Sequence, residues 1–163
     1  MTPSSSTSSA PAPTATAQPF AAAGFRTDIP AGWQDQTTNQ SAIAALNGSG
    51  PVLMLLAAPD HGVVVARTTP QPVADDQLGQ YLTSNVPPGA TGVSQAEPVN
   101  VGAVSGVVMT FVVTPTGGAG QETEEMVLNQ AGNSYTIVLT TAQADFAQDV
   151  AGLQEILNSW TWT

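Results

Sequence analysis

The sequence predicts an α+β sandwich: an antiparallel β-sheet of about six or more strands, with a mid-chain helix and a C-terminal amphipathic helix packed on it. Three observations lead to this prediction. Short apolar or alternating segments are separated by Gly, Pro and Asn turns, a helical pattern interrupts them mid-chain, and a second helical pattern lies near the C-terminus. The 163 residues are enough for one domain whose core needs no disulfide or metal.

The chain is expected to start with a disordered tether over residues 1–22, followed by one folded domain over residues 23–163. Residues 2–19 contain only Ser, Thr, Pro, Ala and Gln. Such a segment buries too little apolar surface to offset the entropy lost on ordering. An inert tail and a spacer that holds the domain away from a surface both fit this composition.

The first strand is predicted at residues 25–29, where FRTDI alternates between apolar and polar positions. Pro30 ends this strand, Gly32 permits a turn, and Trp33 is expected to return to the core and fix the strand onto the sheet. Together with Phe25, these residues are interpreted as structural rather than as a site. A second strand and a short apolar piece are expected within residues 33–46.

The central segments predict two apolar strands, a helix and further hairpins. Residues 51–58 and 103–114 are apolar on both faces, as is typical of central strands. Residues 63–69 are expected to form a hairpin with residues 51–58. A helix is predicted to open at Pro72, with Asp75 and Asp76 in its first turn. The other strands are predicted at 92–98, 121–129 and 134–141, the second of these exposed at its polar start, with a tight AGN turn at 131–133.

The C-terminal helix is predicted over residues 143–159 because one stripe of apolar residues repeats at helical spacing. Thr140 and Gln143 are candidates for a capping box, and "SWTWT" is expected to return to a short closing strand with Trp160 and Trp162 on one side. The stripe consists of Phe146, Val150, Leu153, Leu157 and Trp160, while Asp145, Gln148, Asp149 and Gln154 are placed on other faces.

Composition excludes several function classes. The chain has no Lys, two Arg and twelve Asp or Glu, for a formal net charge of −10. Two cations cannot form the basic patch that nucleic acid or an anionic lipid surface requires. The absence of Cys excludes thiol catalysis, zinc ribbons and iron–sulfur ligation.

Catalytic and metal-binding patterns are weak. His61, the one imidazole, lies beside Asp60 in "PDHG", which would suit a Ser-His-Asp hydrolase, but no G-x-S-x-G motif is present, and an exposed turn histidine is the favoured interpretation. Carboxylates could offer calcium ligands, but without a D-x-D-x-D-G loop a solvated strand edge is favoured; these are Glu122, Glu124, Glu125, Asp75 and Asp76. We therefore expect no catalytic, cofactor or metal residues, and recognition is expected near the mobile loops at 47–50 and 115–120.

A family resemblance covers about residues 23–163. The F-x-x-x-x-P-x-G-W pattern formed by Phe25, Pro30, Gly32 and Trp33, together with the hairpins and the terminal "ILNSWTW", resembles the PsbP-like fold. This fold is shared by photosystem II accessory proteins and the Ran-binding Mog proteins. The likeness is greatest to actinobacterial Lpq-type lipoproteins such as LpqN and LpqT. It implies a non-catalytic binding or accessory role, with Trp160 as a further structural residue.

The resemblance and the tether together predict an extracytoplasmic, lipid-anchored domain of the cell envelope. Ser/Thr/Pro/Ala stretches follow the lipidated cysteine in such lipoproteins. Met1 is followed directly by the tether, without a basic and then apolar leader, so we expect the leader and the cysteine to lie upstream of Met1 in the full-length protein. The expected partner is an envelope protein or an apolar envelope molecule. The alternatives are a cytosolic, Mog-type protein-binding adaptor and a hydrolase that uses His61.

Overall fold

The computed structural model describes residues 16–46 and 48–163; the rest of the predicted tether lies outside this range. The helices are α1 (Gln40–Ala44), α2 (Leu78–Asn85) and α3 (Phe146–Ser159), and a 3-10 turn (Asp75–Gln77) precedes α2. The strands are β1 (Gln18–Ala22), β2 (Phe25–Ile29), β3 (Gln34–Asp35), β4 (Val52–Ala57), β5 (Val63–Thr68), β6 (Glu97–Val101), β7 (Val104–Val113), β8 (Gln121–Gln130), β9 (Asn133–Ala142) and β10 (Thr161–Trp162).

Two antiparallel sheets organise the domain. The larger has seven strands in the order β3-β4-β5-β9-β8-β7-β6, and the smaller has the order β1-β2-β10. The small sheet and α3 cover one face of the large sheet, while α2 covers part of the other face. The predicted α+β class, with a mid-chain helix and a C-terminal helix on an antiparallel sheet, is confirmed. No helix within the described ranges is both long and apolar enough to cross a membrane.

The two faces of the large sheet follow from strand alternation. In β8, Met126 and Leu128 enter the main core, whereas Val127 packs with Leu78 and Leu82 of α2. We call these sides the α3 face and the α2 face. The fully buried members of the main core come from both sheets and α3: Phe25, Met54, Leu56, Val64, Met126, Leu128, Ile137, Leu139, Leu153 and Ile156.

Strand β2 is held by an aromatic cluster. Phe25 is completely buried and stacks on Trp160 with 4.0 Å between ring centroids. Trp162 lies 6.2 Å from Phe25 and donates a 2.8 Å hydrogen bond from Nε1 to the Val101 carbonyl. The chain's C-terminus therefore pairs with β2 as a short strand. Trp33 is only partly buried, however, and packs against Gly152 from outside the main core.

The folded region begins before the predicted start near residue 23. β1 pairs along its whole length with β2, from Gln18 opposite Ile29 to Ala22 opposite Phe25. Phe20 packs on the core, which gives this strand the apolar anchor that the residues before it lack. The tether boundary at residue 22 is therefore too late by at least five residues.

The predicted stripe of the C-terminal helix faces the main core, but the most deeply buried side of the helix is shifted from Phe146 and Val150 towards Ile156. Its buried residues are Asp149, Gly152, Leu153, Ile156 and Leu157, whereas Phe146 and Val150 are only partly buried. Placing Asp149 on an outer face was thus wrong. The capping box was also wrong, because α3 starts after Asp145 and Thr140 lies within β9.

The boundaries of two other predicted elements differ in the structure, and one predicted turn is confirmed. Pro72 does not open a helix: residues 72–74 form no regular element, the 3-10 turn Asp75–Gln77 follows, and α2 begins at Leu78. The strand predicted at 92–98 is β6, Glu97–Val101. The predicted hairpin turn is confirmed: Ala131 and Gly132 connect β8 to β9 with φ angles of 49° and 79°, as a two-residue type I′ turn requires.

Candidate binding groove

A concave region lies between α2 and the extended segment that precedes it. It encloses about 560 Å³ and is lined by Thr69, Pro70, Gln71, Pro72, Val73, Gln77, Gln80, Tyr81 and Ser84. We call it the α2 groove. Two smaller regions of about 360 and 350 Å³ lie beside β2 and the end of α3.

One wall of the groove, the 69–73 segment, is fixed to the base of the β8–β9 hairpin. Thr69 N–H donates to the Ser134 carbonyl at 2.9 Å, and Val73 N–H donates to Ser134 Oγ at 2.7 Å. Asn129 Nδ2 donates to the Val73 carbonyl at 2.8 Å and to Asp75 Oδ1 at 2.6 Å. Ser134 Oγ in turn donates to Asn129 Oδ1. Because these hydrogen bonds join the segment to a hairpin of the large sheet, and most of them are partly buried, the wall is preformed.

The other wall is one side of α2. Leu78 and Leu82 are buried against the α2 face of the sheet, and this anchors the helix. Tyr81 is partly buried and packs on the same cluster, so that its ring borders the groove. Gln80 and Ser84 are exposed on the helix beside it. The groove thus offers an apolar floor with neutral hydrogen-bonding groups at its rim.

No residue that lines the groove is charged. Of the two cations, Arg67 is 8% exposed, with its guanidinium beneath the Gly48–Gly50 loop, and burial lowers its pKa. Arg26, on β2, is exposed. Arg26 is therefore the one exposed arginine of this chain.

The structure does not assemble a His–Asp pair. His61 is exposed in the β4–β5 turn with a φ angle of 76°. Asp60 Oδ2 accepts a 3.1 Å hydrogen bond from Gln148, and Asp60 Oδ1 is buried without a hydrogen-bond partner. Since neither oxygen binds the imidazole, Asp60 does not orient His61 as a catalytic base requires.

The carboxylates suggested as calcium ligands are dispersed. Glu122 and Glu124 share the α3 face, Glu125 lies on the α2 face, and Asp75 and Asp76 precede α2. Within the described residues no group of three or more His, Asp or Glu could hold a metal ion. The expectation of a solvated strand edge was wrong, because Glu124 and Glu125 are each 9% exposed.

Burial raises the pKa of both the Glu124 and the Glu125 carboxyl groups. Desolvation raises the pKa of Glu124, and the charge of Glu122 raises it further. Desolvation also raises the pKa of Glu125, against the opposing effect of a 3.4 Å hydrogen bond from Asn85 Nδ2. Both positions lie in the middle of a seven-stranded sheet, where the charged form loses water on all sides.

Sequence reasoning missed the α2 groove. It placed recognition at the 47–50 and 115–120 loops, but neither loop lines the groove, and Asn47 lies outside the described residues. The available signal was the "PQPV" run between a strand and a helix, followed by polar residues around Tyr81. The loop at 115–120 is exposed from Pro115 to Ala119.

Comparisons with known proteins identify the fold. No family model matches the chain, and no curated protein matches its sequence. The cyanobacterial PsbP protein (CyanoP) of Synechocystis sp. PCC 6803 superposes with a TM-score of 0.61 at 15% identity, over 96% of this chain and 98% of that one. LpqN, involved in cell envelope biogenesis of Mycobacterium tuberculosis, gives 0.61 at 14% identity, over 91% of each chain.

A Bacteroides thetaiotaomicron protein matches with a TM-score of 0.57 at 14% identity, over 86% of this chain and 46% of that one. The three superpositions show that the domain has the PsbP-like fold, which confirms the resemblance read from the sequence. At these identities the likeness concerns the arrangement of helices and strands and leaves the role of individual residues open.

Proposed function

We propose that this domain is a non-catalytic binding or accessory module of the cell envelope, and that it holds an apolar envelope molecule or an envelope protein in the α2 groove. The observation that carries this proposal is the groove itself. Its volume of about 560 Å³ falls in the range of roughly 300–1,000 Å³ typical of ligand sites, and a few polar groups around an apolar floor are the usual composition of such sites.

The chemistry of the walls selects the class of ligand. Pro70, Pro72 and Tyr81 offer rigid apolar surface, which loses little conformational entropy when a ligand binds. Gln77 and Gln80 can donate and accept hydrogen bonds without carrying charge. An uncharged, elongated molecule with an apolar body fits this surface, whereas an anionic one would meet a protein of net charge −10.

The fold supports the location. LpqN, a protein of cell envelope biogenesis, has the same arrangement of strands and helices over nearly its whole length. The Ser/Thr/Pro/Ala-rich start of this chain has the composition of a spacer between an anchor and a domain. We therefore place the protein outside the cytoplasm, held to the membrane through a lipid anchor in the full-length protein.

The test is co-purification with envelope material. The full chain is incubated with an organic-solvent extract and a detergent extract of actinobacterial envelopes, recovered, and examined by mass spectrometry for bound lipid and protein. Gln80→Arg places a charge at the groove rim on an exposed helical position. Gln154→Arg is the matched control, an exposed glutamine of α3 outside the groove.

We expect wild type and Gln154→Arg to retain the same envelope component, and Gln80→Arg to lose at least tenfold of it while melting at the same temperature. Equal retention by all three proteins would remove the groove from the proposal. Ester hydrolysis that disappears in His61→Ala would overturn the non-catalytic assignment altogether.

A further inference from the structure

Three buried oxygen atoms without hydrogen-bond partners come from three separate elements near the start of α3. They are Asp60 Oδ1 in the β4–β5 turn, Thr141 Oγ1 near the end of β9, and Asp149 Oδ2 in the first turn of α3. Thr141 is 3% exposed and Asp149 is 1% exposed. Buried polar atoms are nearly always paired, so this cluster requires an explanation.

The cluster is closely packed. A side chain at Gly62 would overlap the Asp149 carboxylate, and its Cβ would lie 3.0 Å from Thr141 Oγ1. The carboxylate thus rests directly on the backbone of the β4–β5 turn. Within the described ranges no group of three or more His, Asp or Glu could hold a metal ion.

No fixed cation faces the cluster. Arg67 lies five residues along β5 from Gly62, a distance of about 17 Å at strand rise, and Arg26 lies on β2 of the small sheet. His61 shares the turn but is exposed. The remaining ionisable groups nearby are acidic: Asp145 at the start of α3, and Glu122, which pairs with Thr141 across β8 and β9.

We propose that Asp60 and Asp149 share one proton, and that this proton latches the β4–β5 turn to the first turn of α3. The protonated carboxyl of Asp149 donates to Asp60 Oδ1, which satisfies both orphan carboxylate oxygens, and Thr141 Oγ1 can donate to the pair. Two carboxylates in such proximity cannot both ionise without strong repulsion. In a chain without Lys, a proton is the available counter-charge.

The electrostatics agree with this arrangement. Burial raises the pKa of Asp149, Asp60 and Asp145 raise it further, and only the hydroxyl of Thr141 opposes the shift. A carboxyl whose folded pKa is raised adds stability below its unfolded pKa and loses that contribution as the pH rises through the folded value. The latch is therefore closed in acid and weakens as the pH rises through the raised pKa of Asp149.

The size of the effect follows from proton linkage. When the closed form holds one proton that the open form has released, the opening equilibrium constant rises up to about tenfold per pH unit. The opening constant rises in this way between the ordinary Asp pKa of 3.8 and the raised pKa of Asp149. Above the raised pKa the opening constant no longer changes with pH.

Hydrogen exchange measured by NMR tests the proposal on the full chain. The reporters are the amide of Ala58, bonded to the Gly62 carbonyl at 2.7 Å, and that of Asp149, bonded to the Asp145 carbonyl at 3.0 Å. After correction for intrinsic exchange, we expect their opening constants to rise with pH by up to about tenfold per unit, while amides of the β8–β9 hairpin change less.

Two variants isolate the proton. Asp149→Asn can donate to Asp60 without titrating, and Asp60→Asn removes the pair from the turn side; both should flatten the pH dependence of the reporters. Asp76→Asn, on an exposed residue before α2, should retain it. Carbon-13 carboxyl shifts of Asp60 and Asp149 should move at the same two pH values.

Two results would overturn the proposal. The first is a reporter slope that persists in both Asn variants, or independent titration of Asp60 and Asp149, because either excludes a shared proton. The second is restoration of acid-like protection at neutral pH by CaCl₂ at constant ionic strength, since that would assign the three oxygens to a cation.

Discussion

Phe25→Ala tests how strongly β2 and the C-terminus are fixed to the main core. Phe25 is 0% exposed and stacks on Trp160 at 4.0 Å. Deleting a buried Phe side chain costs about 3–5 kcal/mol. Since about 1 kcal/mol shifts the melting temperature of a domain of this size by roughly 2–4 °C, a loss of about 4 kcal/mol lowers it by roughly 8–16 °C.

Trp33→Ala is the informative comparison. The ring is larger but only partly buried, so water can fill the space that it leaves, and a sealed cavity does not form. We expect a loss of about 2 kcal/mol, smaller than that of Phe25→Ala. Val93→Ala, at a position 45% exposed, should change stability by less than about 0.5 kcal/mol.

The assay is urea denaturation followed by tryptophan fluorescence and circular dichroism, with the slope of the transition compared among variants. A loss below about 1 kcal/mol for Phe25→Ala would refute the reasoning, because β2 would then contribute little to the core. A larger loss for Trp33→Ala than for Phe25→Ala would restore Trp33 as the anchor that the sequence suggested.

Three further substitutions have defined signs. Glu125→Gln should stabilise the domain above the raised pKa of the Glu125 carboxyl and leave its stability unchanged in acid. Denaturation at several pH values measures this. A gain in stability that does not depend on pH, or an equal gain from the exposed Glu97→Gln, would contradict the prediction. Gly62→Ala should cost about 1–3 kcal/mol because the new methyl overlaps Asp149; an unchanged melting temperature would show that the turn can move away freely. Ala131→Asn should raise stability by about 0.5–1 kcal/mol, since Asn accepts the positive φ of a type I′ turn better than Ala; a lower melting temperature would refute that turn assignment.

Much of the fold was predictable because apolar periodicity reports which side of a strand or helix is buried. The alternation of residues 25–29 and the apolar runs in β4, β5 and β7 identified strands that the structure contains. The Gly- and Asn-containing turn at 131–133 predicted the β8–β9 hairpin, and Ala131 and Gly132 both adopt positive φ angles in the structure. These signals are local, so they survive without knowledge of the partner strands.

The predictions of exposed carboxylates failed where a polar residue is buried by parts of the chain distant in sequence. Asp149 looked like a solvated helix residue, yet it rests on the β4–β5 turn, because Gly62 has no side chain to exclude it. Glu124 and Glu125 looked like an edge, yet β8 lies inside the sheet. Strand order is set by contacts distant in sequence, and a hydropathy pattern does not contain it.

The candidate site was missed for a related reason. The α2 groove combines a wall from the 69–73 segment with one side of α2, and the wall is fixed by Asn129 and Ser134 from a hairpin some sixty residues later. Neither residue carries a recognisable motif. A search for catalytic and metal-binding patterns therefore could not find a neutral groove that depends on shape.

The most direct test of the binding assignment is an NMR titration of isotope-labelled protein with an organic-solvent extract of actinobacterial envelopes. Binding in the groove predicts that amide shifts change at Thr69, Gln71 and Val73 and along residues 77–84. We expect Gln80→Arg to lose these changes and Gln154→Arg to retain them. Changes centred on residues 59–62 around His61 would contradict the assignment of the α2 groove as the binding site, and no changes at saturating extract would contradict an apolar envelope molecule as its ligand.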